Sequence, residues 1–287
     1  MVRDLLVISA FFVTIWFTTD CKEKTIKINK DISFKSHLNI SYGSDAEQKM
    51  DLYVPDKYHE TKKDVFIIIH GGGWYGGDKS MLTPLTLSLM KKFPNHIFAN
   101  INYRLATNSR YALPNQTDDI NKTILFLKKK LTYEPEFILL GNSAGGHLSM
   151  LYAYQSERNK KVKAVINIVG PSNLSDPGFR HYRDYSFIEE HLVDPKIIPD
   201  NISMNVFASP VYWITPSSPP SLSFYGTYDT IIPLSQKKLL DSALHKNNVD
   251  YQSFEFEGDH LNWHSDKKLS AFIVDKITVF LKRKDKK

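Results

Sequence analysis

Five consecutive apolar residues, Val65–Ile69 (VFIII), run directly into His70 and three glycines, Gly71, Gly72 and Gly73. A short run that is apolar at every position fits a strand buried on both faces, because a strand with one wet face alternates apolar and polar residues. A second such strand is read at Ile97–Ile101, and further strand-like runs follow at 137–140, 162–169, 221–225 and Tyr251–Phe256, with scattered polar residues in most of them. Helix-like stretches separate several of these runs, at 118–130, 144–155, 235–247 and 267–281. In the first of them Ile120, Ile124 and Leu127, with Leu131 just beyond its end, fall on one helical face. Strands trading places with helices predict an α/β chain with a mostly parallel central sheet and helices on both faces. β-rich pieces at 38–42 and 50–54, set between polar turns, predict an antiparallel N-terminal edge. Residues 171–220 interrupt the alternation with proline, serine and aromatic side chains, and read as a short cap-like insertion over the sheet. No linker divides the remainder, so 25–287 is expected to form a single domain.

The size and composition agree with this. A chain of 287 residues, 42% hydrophobic, with 13 glycines and 14 prolines, is neither collagen-like nor disordered. Its single cysteine excludes an intrachain disulfide and a thiolate metal cluster. The formal net charge of +6 is concentrated at the end: the last six residues, KRKDKK, carry five positive charges and one negative, and without them the net charge is +2. A solvated tail explains this better than a basic binding face, so no nucleic-acid partner is expected.

The first 20 residues differ from the body. After Arg3 comes an apolar run from Leu5 to Phe17, then Thr18, Thr19, Asp20 and Cys21. The run is short for crossing about 30 Å of hydrocarbon but has the length of a signal-peptide core. Residues 1–20 are therefore expected to direct export. Cys21, followed by charged residues, resembles the lipid-bearing cysteine of a bacterial lipoprotein, although Asp20 departs from the small residue usual before it. An ordinary cleaved signal peptide and an uncleaved anchor are the alternatives. The expected location is periplasmic or membrane-anchored through an N-terminal lipid or the signal anchor, with secretion as the other outcome.

The chemistry gathers where strands end. Gly141-Asn142-Ser143-Ala144-Gly145 follows the 137–140 strand and opens a helix, the setting of a G-x-S-x-G nucleophile elbow. Glycines there permit a tight turn that lifts the Ser143 hydroxyl clear of the backbone. A serine hydroxyl needs a base to take its proton, and that base needs a carboxylate to orient it. For a serine on an elbow of this kind the acid should follow it in the chain and the histidine come last. Asp229, after the 221–225 strand, and His260, after Tyr251–Phe256, fill those places. Asp259 and Asp241 compete as acids and His264 as base. His70-Gly71-Gly72-Gly73-Trp74 has the form of an oxyanion loop, in which backbone N–H groups of Gly72, Gly73 and Ala144 would receive a developing negative oxygen. His70 is expected to brace that loop. Trp74, Tyr75 and Trp213, with Phe179, Tyr182, Tyr185 and Tyr212, are candidate substrate-binding aromatics. No histidine and carboxylate cluster has zinc spacing, and neither metal nor cofactor is expected.

Taken together, these motifs resemble the α/β-hydrolase carboxylesterases of the hormone-sensitive-lipase-like or feruloyl/acetyl-xylan-esterase-like bacterial kind. The resemblance extends over Asp51-Leu52-Tyr53-Val54-Pro55, the HGGGW run with Gly77-Asp78-Lys79, Asn102-Tyr103-Arg104-Leu105, the elbow, Gly226 to Pro233 and Gly258-Asp259-His260. It departs at Asn142, where many relatives carry Asp, and at Asp259, where a Gly often precedes the His. The resemblance implies hydrolysis of carboxylic esters, of short acyl or aryl type, carbohydrate esters among them. A prolyl-oligopeptidase-like peptidase, an arylformamidase-like amidase and a non-catalytic surface-binding lipoprotein are the alternatives.

Overall fold

The structure, a computed structural model, describes residues 24–56, 64–155, 162–181 and 185–284. The proposed signal segment, Cys21 and Tyr182 lie outside the described residues. Among the described residues nine strands form one sheet: β1 (Lys24–Lys27), β2 (Ser33–Ser41), β3 (Lys49–Pro55), β4 (Val65–Ile69), β5 (Ile97–Ile101), β6 (Phe137–Asn142), β7 (Val162–Ile168), β8 (Ser221–Gly226) and β9 (Tyr251–Phe256). Their spatial order is β1-β2-β3-β5-β4-β6-β7-β8-β9. The ladders through β3 and β5 are antiparallel and those from β5 through β9 are parallel. Both features match the expectation from the sequence.

The side-chain alternation along β4 shows why this sheet needs cover on both sides. Val65, Ile67 and Ile69 enter one hydrophobic cluster, with Ile120, Ile124, Leu148 and Leu151 from helices α2 (Asn115–Lys130) and α3 (Ala144–Tyr154). Phe66 and Ile68 enter the other, with Leu85 and Leu89 of α1 (Thr83–Lys92) and Ile273 and Ile277 of α8 (Lys267–Lys284). Period-two alternation thus feeds two cores from one strand. At about 25 cal/mol per Å² of apolar surface, burial of this kind is the main favourable term in holding the layers together. The α1 helix had not been expected; α2 begins three residues before the sequence pattern suggested.

Segment 171–220 carries α4 (Tyr185–His191), α5 (Met204–Phe207) and several 3-10 turns. It is fastened to the loop after β5. The Ala112 N–H donates to the His191 carbonyl at 3.0 Å, Leu113 to Leu192 at 2.7 Å, and Asp194 back to Leu113 at 3.0 Å. The loop itself is anchored by Arg104, whose guanidinium donates to the buried Asp119 carboxylate of α2, 2.7 Å at the closest. The remaining helices are α6 (Ser235–Lys246) and α7 (Asn262–Ser265). Among the described residues no helix is long and apolar enough to cross a membrane.

Candidate active site

Ser143 occupies the turn between β6 and α3, with φ +50° and ψ −123°. That backbone is strained for a residue with a side chain, and such strain survives only where the surroundings over-determine it. They do so here. The Ser143 N–H donates to the Ile168 carbonyl of β7 at 2.9 Å, and the His147 N–H to the Ser143 carbonyl at 3.0 Å. A Cβ on Gly145 would stand 2.5 Å from the His70 carbonyl oxygen, and one on Gly146 would collide with the Asn167 side chain. The elbow therefore packs so closely on β4 and β7 that only glycine fits on its helical side.

Asp229 lies beyond β8 and its carboxylate is wholly buried. One oxygen, Oδ1, accepts the N–H groups of Ile231 and Ile232, each at 2.8 Å. The other, Oδ2, faces His260 Nδ1 at 2.8 Å. A carboxylate holding two backbone donors is an acceptor, so the imidazole proton sits on Nδ1 and Nε2 keeps its lone pair. Nε2 stands 2.9 Å from Ser143 Oγ. Serine, histidine and aspartate from three separate strand ends thus form one continuous hydrogen-bonded chain.

The competitors are engaged elsewhere. Asp259 Oδ1 caps the turn after it, accepting the Leu261 and Asn262 N–H groups at 2.8 Å each. Asp241 pairs with Lys237 at 3.0 Å on α6. His264 Nε2 donates to the Met81 carbonyl at 2.7 Å.

The glycine loop approaches the elbow from β4. Gly72 and Gly73 have φ +120° and +61°, and a Cβ on Gly72 would collide with the Gly76 backbone. The Gly71 N–H is consumed by Asn142 Oδ1 at 2.9 Å, which ties loop to elbow. The N–H groups of Gly72, Gly73 and Ala144 make no hydrogen bond among the described residues. His70 is buried, stacks on Tyr103 at 4.4 Å and 15°, and donates from Nδ1 to the Gly71 carbonyl at 2.7 Å. The Tyr103 hydroxyl donates to the His70 carbonyl at 2.9 Å. Burial pushes the His70 imidazole down to about 4, so it is neutral near pH 7.

The candidate aromatics separate. Trp74 is buried and its indole N–H donates to His147 Nδ1 at 3.1 Å. Tyr75 is exposed and meets Phe187 of α4 edge to face at 5.0 Å. Trp213, half-buried, donates to the Phe207 carbonyl at 2.8 Å. Behind the elbow Asn167 and Tyr225 form a polar pair that the sequence reading did not identify. Asn167 donates to the Tyr225 hydroxyl at 2.9 Å and accepts the Gly170 N–H at 2.8 Å. This clamps the turn at Val169, whose φ of +48° is a rare conformation for a β-branched residue.

A family model named BD-FAE matches residues 50–244, which takes in the glycine loop, the elbow and Asp229. The chain belongs to the BD-FAE family. The esterase-type resemblance expected from its motifs is thereby borne out. This BD-FAE chain is similar to esterase LipC of Mycobacterium tuberculosis, 27% identical over 214 residues, covering 69% of this chain and 52% of that one. It is also similar to kynurenine formamidase avaC of Aspergillus versicolor, 32% identical over 124 residues, covering 38% of this chain and 43% of the other. The chain therefore spans about half the length of these relatives. Among solved structures, a truncated carbohydrate esterase from gut microbiota superposes with a TM-score of 0.69 at 21% identity, covering 88% of this chain and 96% of that one. Esterase B from Lactobacillus rhamnosis, in an inhibited form, also gives 0.69, at 19% identity, covering 91% and 89%. These likenesses establish the α/β-hydrolase fold.

Proposed function

We propose that the protein hydrolyses carboxylic esters through a covalent acyl-enzyme, with Ser143 as nucleophile, His260 as base and Asp229 as its orienting acid. The observation that carries this reading is the unbroken chain from Ser143 Oγ through His260 to Asp229, at 2.9 and 2.8 Å. His260 Nε2 removes the hydroxyl proton as Oγ attacks the ester carbonyl, and Asp229 stabilises the imidazolium that results. The carbonyl oxygen becomes negative and is received by the N–H groups of Gly72, Gly73 and Ala144. Each such donor contributes roughly 3 kcal/mol to the transition state. His260 then returns its proton to the departing alcohol, and the same relay activates water to release the acid.

Short acyl or aryl esters are the proposed substrates, carbohydrate esters among them. The named esterase relatives support the ester class, and the carbohydrate esterase among the structural neighbours suggests where to look first. Cleavage of an N-formyl aryl amide is a second reading, favoured by the similarity to kynurenine formamidase. Export through residues 1–20, with Cys21 lipidated, is proposed from the sequence alone, and labelling with a palmitate analogue tests it.

A panel of p-nitrophenyl esters, acetylated and feruloylated sugars, an N-formyl aryl amide and a proline p-nitroanilide, run on wild type and Ser143→Ala, tests the proposal. Ester turnover that disappears in Ser143→Ala is the expected result. Equal turnover in both proteins removes the assignment, and cleavage of the anilide alone would favour a peptidase.

A further inference from the structure

His147 lies on the first turn of α3, four residues after Ser143, with no exposed surface. Both of its ring nitrogens are in use. Nδ1 faces the indole N–H of Trp74 at 3.1 Å, and Nε2 faces the carbonyl oxygen of Ala208 at 2.7 Å. An indole N–H only donates and a carbonyl only accepts, so the ring is neutral with its proton on Nε2. The two rings meet edge to face at 5.1 Å and 88°.

Trp74 directly follows Gly73 and has a φ of +67°. A bulky residue holds that backbone only if several contacts enforce it. Two act on its carbonyl, which accepts the Ala106 N–H at 2.9 Å and the Gln116 side-chain amide at 2.6 Å. The third is the indole bond to His147. The loop that carries Gly72 and Gly73 is thus pinned on its C-terminal side to the nucleophile helix, as it is pinned at Gly71 by Asn142.

We infer that His147 is a positioning residue for ester hydrolysis: by holding Trp74 it fixes the Gly72 and Gly73 donors, and through Ala208 it ties that loop to the 171–220 segment. This rests on the reading of Ser143 as nucleophile. His147 does not touch substrate. Its effect is on the transition state, where the donors must already stand in place.

The two bonds can be cut separately. His147→Asn keeps an acceptor at the Nδ1 position facing Trp74, whereas His147→Gln reaches toward Ala208 and loses that acceptor. Trp74→Phe removes the donor from the other side. His147→Gln and Trp74→Phe should each lower kcat roughly ten- to hundredfold with little change in KM, the cost of a donor moved by about 1 Å. The affinity of a trifluoromethyl ketone transition-state analogue should fall by the same factor. The double variant should be no slower than the worse single one, because both remove one bond. His147→Asn should recover most of the loss. Full kcat in folded Trp74→Phe overturns the inference, as do losses that multiply in the double variant; Trp74→Phe decides the matter if His147→Gln does not fold. Wild type lacking Ser143-dependent turnover would instead refute the proposed function.

Discussion

Gly145→Ala isolates the packing of the elbow from its chemistry, since it adds one methyl group and removes no polar atom. The new Cβ would lie 2.5 Å from the His70 carbonyl oxygen and 2.6 Å from the Ile69 carbonyl carbon, with the Ile69 oxygen closer still. These are backbone atoms of a central strand and its exit, so no side chain can swing aside. Comfortable contact needs about 3.5 Å, and the helix end carrying Ser143 must therefore retreat from β4 by about 1 Å. Overpacking of this kind costs about 1–3 kcal/mol of stability. The same displacement separates Ser143 Oγ from the glycine-loop donors, and about 1 Å at reacting atoms costs on the order of a hundredfold in rate. The assay is kcat and KM for p-nitrophenyl acetate, alongside urea unfolding of both proteins. A folded Gly145→Ala with wild-type kcat would refute the reasoning, because it would mean the elbow tolerates displacement from the loop.

Two further outcomes follow from the geometry. Asp229→Asn should keep the Ile231 and Ile232 N–H bonds on its carbonyl while presenting an amide N–H to His260 Nδ1. The imidazole proton is then driven to Nε2 and the base is lost, so kcat should drop by about 10⁴ with the fold intact; a drop below tenfold counts against Asp229 as the acid. Burial holds His70 and His147 each at about 4 against an ordinary value of about 6.5. Between those pH values the unfolded chain binds protons that the native chain excludes, so stability falls as pH drops from about 6.5 to 4, by about 3 kcal/mol for each ring. Urea titrations at pH 7, 5.5 and 4 should therefore show a shallower acid loss in His147→Asn than in wild type. Parallel curves would contradict the burial of that imidazole as a neutral group.

The parallel part of the sheet was legible because its central strands are mostly apolar, wholly so in β4, and run into glycine or polar residues. The N-terminal edge followed from its intervening turns. What escaped was helical structure written in mixed residues. In α1, Leu85, Leu89 and Met90 are buried, but the helix starts at Thr83-Pro84 straight from a 3-10 turn, which blurred its beginning. At the start of α2, Gln116 and Asp119 are buried through hydrogen bonds to Trp74 and Arg104 rather than through apolar contact, so hydrophobic spacing does not mark them. The three residues now found in one hydrogen-bonded chain were readable from order and turn chemistry. Their supporting residues were not. His147 gave one available signal, a lone imidazole in the otherwise apolar or small-residue start of α3, at a helical spacing of four from Ser143. Asn167 and Tyr225 gave none, because two polar residues on neighbouring strands become partners only once β7 and β8 are paired.

The most direct measurement is peptide mass spectrometry of the folded protein after reaction with a fluorophosphonate. The relay and its donors predict a single phosphonyl group on Ser143, formed quickly in wild type and only very slowly in His260→Ala. Wild type left unlabelled, or labelled at another serine, would contradict the account.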